Sequence, residues 1–217
     1  MPKNKYPGKK KSKSSLKSKP GKRKFRPKKK KKFGELPDLK KKPKNLPKIE
    51  NYKPVAFGDL EFSDKLLCAL NRLGFEKPTP IQEKVGPLVL AGEDVIGLAQ
   101  TGTGKTAAYL MPIIERYGNT DENPKSKSPQ ILILCPTREL ALQVEDHCQD
   151  LAVFSKFKNM AVFGGGSINV QSNRLKNGAH LVSATPGRLI DLYERGAIRL
   201  DQVGVFVIDE ADRMFDM

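Results

Sequence analysis

The chain has 217 residues, and its 40 Lys+Arg outweigh 24 Asp+Glu to give a net charge of +16. Residues 1–53 hold 23 of the basic groups against three acids (Glu35, Asp38, Glu50), a net of +20, so the remainder holds 17 basic and 21 acidic groups, a net of −4. Cys68, Cys135 and Cys148 never form a CxxC pair, which argues against a disulfide framework or a Cys-ligated zinc site and for reduced thiols in a reducing compartment. The apolar runs fall far short of the roughly 20 residues of a membrane-spanning helix, and no apolar stretch follows the basic N-terminus as in a secretory signal.

In chain order, residues 1–53 come first, rich in Lys, Ser, Pro and Gly with almost no periodic apolar residues. Such a segment cannot bury enough surface to offset the entropy of ordering, so a disordered basic tail and stiff Pro-spaced linker are expected. Residues 54–217 change texture. Ser63 is placed to cap a helix carrying Leu66, Leu67, Leu70 and Leu73, with Gly74 at its stop. Short Val/Ile/Leu-rich runs follow at Asp94 to Ala99, Gln130 to Cys135, Asn159 to Phe163, His180 to Ser183 and Val203 to Ile208. Helical patterns lie between them at Lys105 to Tyr117, Arg138 to Leu151, Asn169 to Lys176 and Pro186 to Arg195. This alternation predicts an α/β domain, a parallel sheet with helices on both faces, whose chemistry sits in the loops after the strands' carboxyl ends.

Two of those loops carry chemistry. Ala99-Gln-Thr-Gly-Thr-Gly-Lys-Thr106 follows one expected strand and opens a helix. Backbone amides of Thr101, Gly102, Thr103 and Gly104 can close around phosphate oxygens, Lys105 supplies a point charge, and the Thr106 hydroxyl can hold Mg²⁺. Ala99 stands where the generic phosphate-loop pattern has Gly, and a Gly-rich turn capping an ordinary helix is the competing reading. Val205-Phe-Val-Ile-Asp-Glu-Ala-Asp212 ends a second strand in acids at the same sheet end. Asp209 is placed as an outer ligand of Mg²⁺ and Glu210 to polarise an attacking water; a solvated strand end is the alternative.

With these motifs the chain resembles the first RecA-like domain of the DEAD-box ATP-dependent RNA helicases, whose name is spelled by Asp209-Glu210-Ala211-Asp212. The resemblance runs from about Phe57 to the C-terminus. It implies ATP and Mg²⁺ as cofactors and single-stranded or short duplex RNA as partner, with no membrane. Within residues 55–83 it includes the family's Q motif, Gly74-Phe-Glu-Lys-Pro-Thr-Pro-Ile-Gln82. Gln82 there resembles the residue that reads the adenine edge and Phe75 its apolar face, with Lys77 beside them and the isolated aromatic Phe57 ahead of the motif; core packing is the competing reading for Phe57 and Phe75, and for Phe57 at least an equal one. Three stretches resemble the RNA-facing motifs: Pro136-Thr137-Arg138, Gly164-Gly165 and Thr185-Pro186-Gly187-Arg188. Each also reads as an ordinary strand-to-helix turn, but together they make a row of backbone-phosphate receptors.

In the resembled fold a Ser-Ala-Thr strand lies between the phosphate-loop and DEAD strands, and a second RecA-like domain completes hydrolysis. The expectation is therefore a C-terminally incomplete chain with an open sheet that folds poorly alone. The alternative function is nucleic-acid binding or RNA chaperoning through the Lys-rich tail, with little turnover. A cytoplasmic location is expected, with a nuclear or nucleolar address as a second reading of Lys28 to Lys32. His147 and His180 have no ligand-spaced partners and are expected to be structural or solvated.

Overall fold

The computed structural model describes residues 48–100, 102–119 and 123–216. Of residues 1–53, expected to be a disordered tail and linker, 1–47 lie outside them, as does Thr101, whereas 48–53 are described and depart from that expectation, with a 3₁₀ turn and the Tyr52 ring 5.7 Å from that of Phe154. After a 3₁₀ turn at Ile49–Asn51 come α1 (Asp64–Arg72), α2 (Pro80–Ala91) and α3 (Lys105–Gly118). Then strands and helices alternate: β1 (Ile131–Leu134), α4 (Arg138–Leu151), β2 (Asn159–Val162), α5 (Ile168–Lys176), β3 (Leu181–Ala184), α6 (Pro186–Glu194), β4 (Val205–Ile208) and α7 (Ala211–Asp216).

The strands form a four-stranded sheet in the order β2-β3-β1-β4, all pairs parallel. Strands of a parallel sheet are covered on both faces, so they read as unbroken apolar runs, as Ile131–Leu134 does. Alternate residues serve opposite faces. Ile131, Ile133, Ala161 and Leu181 pack with α1, α3 and α4, through residues such as Leu66, Leu110 and Val144. Leu132, Met160, Val162 and Val182 pack with Leu175 of α5 and Leu189 and Leu192 of α6. The expected two-faced architecture is thus present.

Helix α2 was not singled out by apolar spacing. It is set by its ends: the Gln82 side chain accepts from the Thr79 N–H at 3.0 Å as one half of a capping box, Pro80 occupies the first helical position, and Gly92 stops it in the left-handed region at φ +86°. Ser63 does precede α1, but its hydroxyl makes no cap bond and donates instead to Glu115 at 2.9 Å, tying α1 to α3.

The run Asp94 to Ala99 corrects the expectation of a strand. It joins no ladder, and Ile96 and Leu98 are 92% and 91% exposed. A strand needs a neighbour to pair its backbone, and among the described residues none lies on the outer side of β4, whose partner is β1. β4 itself is half-covered: Val205 and Val207 reach the first core, while Phe206 and Ile208 are exposed on the face they share with Leu132 and Leu134.

Candidate functional site

The phosphate-type loop sits at the start of α3. Gly102 and Gly104 lie in the left-handed region at φ +81° and +89°, which a side chain rarely tolerates. A Cβ on Gly104 would also stand 2.5 Å from Gln82 Nε2. Lys105 Nζ donates to the Ala99 carbonyl at 2.7 Å, and the Thr103 hydroxyl to the Gln100 carbonyl at 2.7 Å. Gln82 is buried; its Oε1 accepts from Thr79 N–H at 3.0 Å and its Nε2 donates to the Gly104 carbonyl at 3.3 Å. The residue expected to read an adenine thus also braces the loop against α2, keeping one N–H and one lone pair in reserve.

The end of β4 faces this loop. Asp209 Oδ2 accepts from the Tyr109 hydroxyl at 2.9 Å, and its Oδ1 from the Glu210 N–H at 3.0 Å. Burial first, then the negative charge of Asp209, pushes the Tyr109 phenol well above its ordinary range, so it stays a donor. Glu210 holds the left-handed conformation at φ +49°, a strained state for a residue with a side chain, and its Oε2 pairs with Arg213 Nη1 at 2.7 Å. Tyr109 was missed from sequence, although it lies one helical turn after Lys105 and so on the same face.

Phe75, Gly102, Gly104, Lys105, Thr106, Asp209 and Glu210 line one cavity of about 550 Å³. Its far wall is α4, through Leu140, Gln143, His147 and Asp150. Phe75 is half-buried with its ring 6.2 Å from that of Phe57, itself fully in the core; Lys77 is exposed nearby in sequence. His147 forms exposed cavity wall, whereas His180 is buried and accepts from Lys158 N–H at 2.9 Å.

The three other turns follow β1, β2 and β3, which are neighbours in the sheet, so they line one sheet end side by side. Pro136 is buried, and the Thr137 hydroxyl caps α4 by accepting from Leu140 N–H at 3.3 Å. The Arg138 guanidinium lies 4.7 Å over the Phe163 ring, beside Gly165, which has φ +80°. Thr185 precedes α6, with Pro186 at its first position and Gly187 exposed. Arg188, expected to add charge at the RNA-facing turn, has a largely covered side chain whose Nη1 donates to the Gly166 carbonyl at 3.1 Å and whose Nε lies 3.6 Å from Asp191. Among the described residues no group of three or more His, Cys, Asp or Glu could hold a metal ion.

Comparison with known proteins agrees with this geometry. The family model for the DEAD/DEAH box helicases matches residues 79–217. The DEAD-box ATP-dependent RNA helicase CshA of Geobacillus kaustophilus is 44% identical over 161 residues, 74% of this chain and 33% of that protein. The ATP-dependent RNA helicase DeaD of Escherichia coli is 46% identical over 162 residues, 74% of this chain and 25% of that protein. The chain therefore spans a quarter to a third of these relatives. Among solved structures, the RNA helicase Prp28 from Chaetomium thermophilum bound to ADP superposes with TM-score 0.68 at 40% identity, covering 75% of this chain and 40% of that one. A DEAD box protein from Methanococcus jannaschii does so with TM-score 0.66 at 42% identity, covering 73% and 42%. The described sheet and helices have the RecA-like α/β fold of these proteins, and the chain belongs to the DEAD/DEAH box helicase family.

Proposed function

We propose that this chain supplies the nucleotide-binding half of an ATP-dependent RNA helicase, in which ATP hydrolysis is coupled to local opening of short RNA duplexes. One observation carries the reading: Lys105, Thr106 and the Gly102–Gly104 turn share a cavity with Asp209, Glu210 and Phe75. An ATP placed there would have its phosphates on the turn's amides and on Lys105, which would exchange the Ala99 carbonyl for a β/γ oxygen. Phe75 would face the adenine ring, with Gln82 and Lys77 as polar neighbours. A Mg²⁺ ion held by Thr106 and Asp209 would neutralise the phosphates; one carboxylate, one hydroxyl and phosphate oxygens suit its habit of keeping few protein ligands. Tyr109 holds Asp209 in place, and Glu210 is the residue to orient the attacking water. The side-by-side turns after β1, β2 and β3 would bind single-stranded RNA through its phosphates, without reading bases.

The net of +20 over residues 1–53 favours a second contribution, sequence-independent RNA tethering by the tail. The test is ATP binding and hydrolysis by the 217-residue chain with and without single-stranded RNA, beside Lys105→Ala, Glu210→Gln and deletion of residues 1–53. Expected are low RNA-stimulated turnover abolished by Glu210→Gln with binding retained, weaker ATP binding in Lys105→Ala, and weaker RNA binding without the tail. Turnover unchanged in Glu210→Gln, or ATP binding unchanged in Lys105→Ala, overturns the assignment. RNA affinity indifferent to the deletion removes the tether.

A further inference from the structure

The turn after β2 is gripped from three sides. Among the described residues β2 is an edge strand, and the Val162 carbonyl turns inward to accept from Thr185 N–H. Phe163, the next residue, therefore turns its own N–H and C=O to the free edge of the sheet, where unpaired backbone is costly if buried. Gln171, buried in the first turn of α5, takes both: its Oε1 accepts from Phe163 N–H at 3.1 Å and its Nε2 donates to the Phe163 carbonyl at 3.1 Å. One side chain thus plays the part of a missing neighbouring strand. The clamped Phe163 ring is the surface over which Arg138 lies, and a Cβ on Gly165 would stand 3.6 Å from Arg138 Nη1. From the third side Arg188 holds the Gly166 carbonyl.

We propose that Gln171 is a positioning residue for binding of the nucleic-acid backbone: by fixing Phe163 it sets the guanidinium of Arg138, beside the exposed Gly164–Gly165 turn, toward RNA phosphates. This rests on the reading that the turns after β1, β2 and β3 face RNA. Removal of the Gln171 amide then acts through Arg138, so the two residues form one unit although they lie on different helices and far apart in sequence.

The test is the affinity of the full 217-residue chain for a fluorescent single-stranded RNA over a series of salt concentrations, for wild type, Arg138→Ala, Gln171→Met and the double variant. Removing one phosphate-binding charge lowers the steepness of log affinity against log salt by about 0.7 for single strands. The tail's share is common to all variants. Arg138→Ala and Gln171→Met are each expected to weaken binding and flatten the slope by about that amount, and the double variant to be no worse than the weaker single one, because both act through one cation. Normal affinity and slope in Gln171→Met, with Arg138→Ala impaired, overturns the inference while the RNA-facing reading stands; multiplicative losses in the double variant do the same. No effect of Arg138→Ala removes the RNA-facing reading and the inference together. Since Gln171→Met leaves two backbone groups unpaired and can unfold the chain, Phe163→Leu is measured alongside. It keeps both Gln171 bonds but removes the ring, and must flatten the slope with ATP binding unchanged; an unchanged slope refutes the role of the ring.

Discussion

Replacing Arg174 by Ala should cost more stability at high pH than at low pH. Glu145 in α4 is 1% exposed, and its Oε1 accepts from Arg174 Nη2 of α5 at 2.8 Å. The pair is incompletely satisfied: Arg174 Nη1 is buried with no hydrogen-bond partner, and Glu145 Oε2 makes no hydrogen bond of good geometry, although the Ala161 N–H lies close enough to favour the carboxylate. Burial pushes the Glu145 carboxyl above its ordinary range, and Arg174 holds that rise in check. A carboxyl whose pKa is raised by folding binds more protons folded than unfolded. Its contribution to stability is full below the unfolded carboxylate range and is lost as pH rises through the folded value. Without Arg174 the folded value climbs further and the penalty for an ionised Glu145 grows. Removing one partner of a buried pair costs about 3–5 kcal/mol, and the quarter-exposed Arg174 side chain places this one near 3 kcal/mol at pH 8. The loss should shrink as pH falls and Glu145 protonates, and Glu145→Leu with Arg174→Met should recover most of it. Urea unfolding at pH 8 and pH 5 measures this; a loss below about 1 kcal/mol, or one independent of pH, refutes the reasoning.

Gly104→Ala should abolish ATP binding, because the new Cβ meets Gln82 Nε2 in a backbone state at φ +89°; retained affinity in a nucleotide titration would show that the loop yields. Ile96→Ser and Leu98→Ser should each change stability by less than about 0.5 kcal/mol in thermal unfolding of this chain, as fits side chains more than nine-tenths exposed; a cost of core size would mean that the run is packed after all. Cys135 is buried, and burial followed by the charges of Asp209 and Glu210 pushes its thiol up to about 12, so it should resist alkylation at pH 8 until urea unfolds the chain.

Where sequence and structure agree, the signal was local. β1 to β4 are short apolar runs ended by Pro, Gly or a polar residue, and α4 to α6 begin where a Gly, Thr or Pro follows such a run; both could be placed within a few residues. The residues lining the cavity were legible too, since the Gly-rich loop opening α3 and the acids ending β4 are local patterns, although the strand expected before that loop is absent from the sheet. Asp94 to Ala99 misled because apolar, β-branched composition describes a strand's side chains but cannot supply its neighbour. α2 escaped because its signals lie in Thr79, Pro80 and Gln82 at its start rather than in a periodic face. Gln171, and the partner of Arg188, were opaque for a different reason: both side chains contact backbone carbonyls brought close by the fold, at Phe163 and Gly166, and no local pattern points to those contacts. Gln171 sits in a polar run with Asn169, Ser172 and Asn173, from which no spacing singles it out.

The nucleotide site is tested most directly by calorimetric titration of the 217-residue chain with ATP and Mg²⁺, for wild type and Lys105→Ala. Removing a charge-assisted hydrogen bond worth about 1.5–3 kcal/mol predicts binding in wild type and affinity lower by about ten- to a hundredfold in the variant. Equal affinities, or no binding by the wild type, would contradict the assignment of the cavity between α3 and β4 as the ATP site.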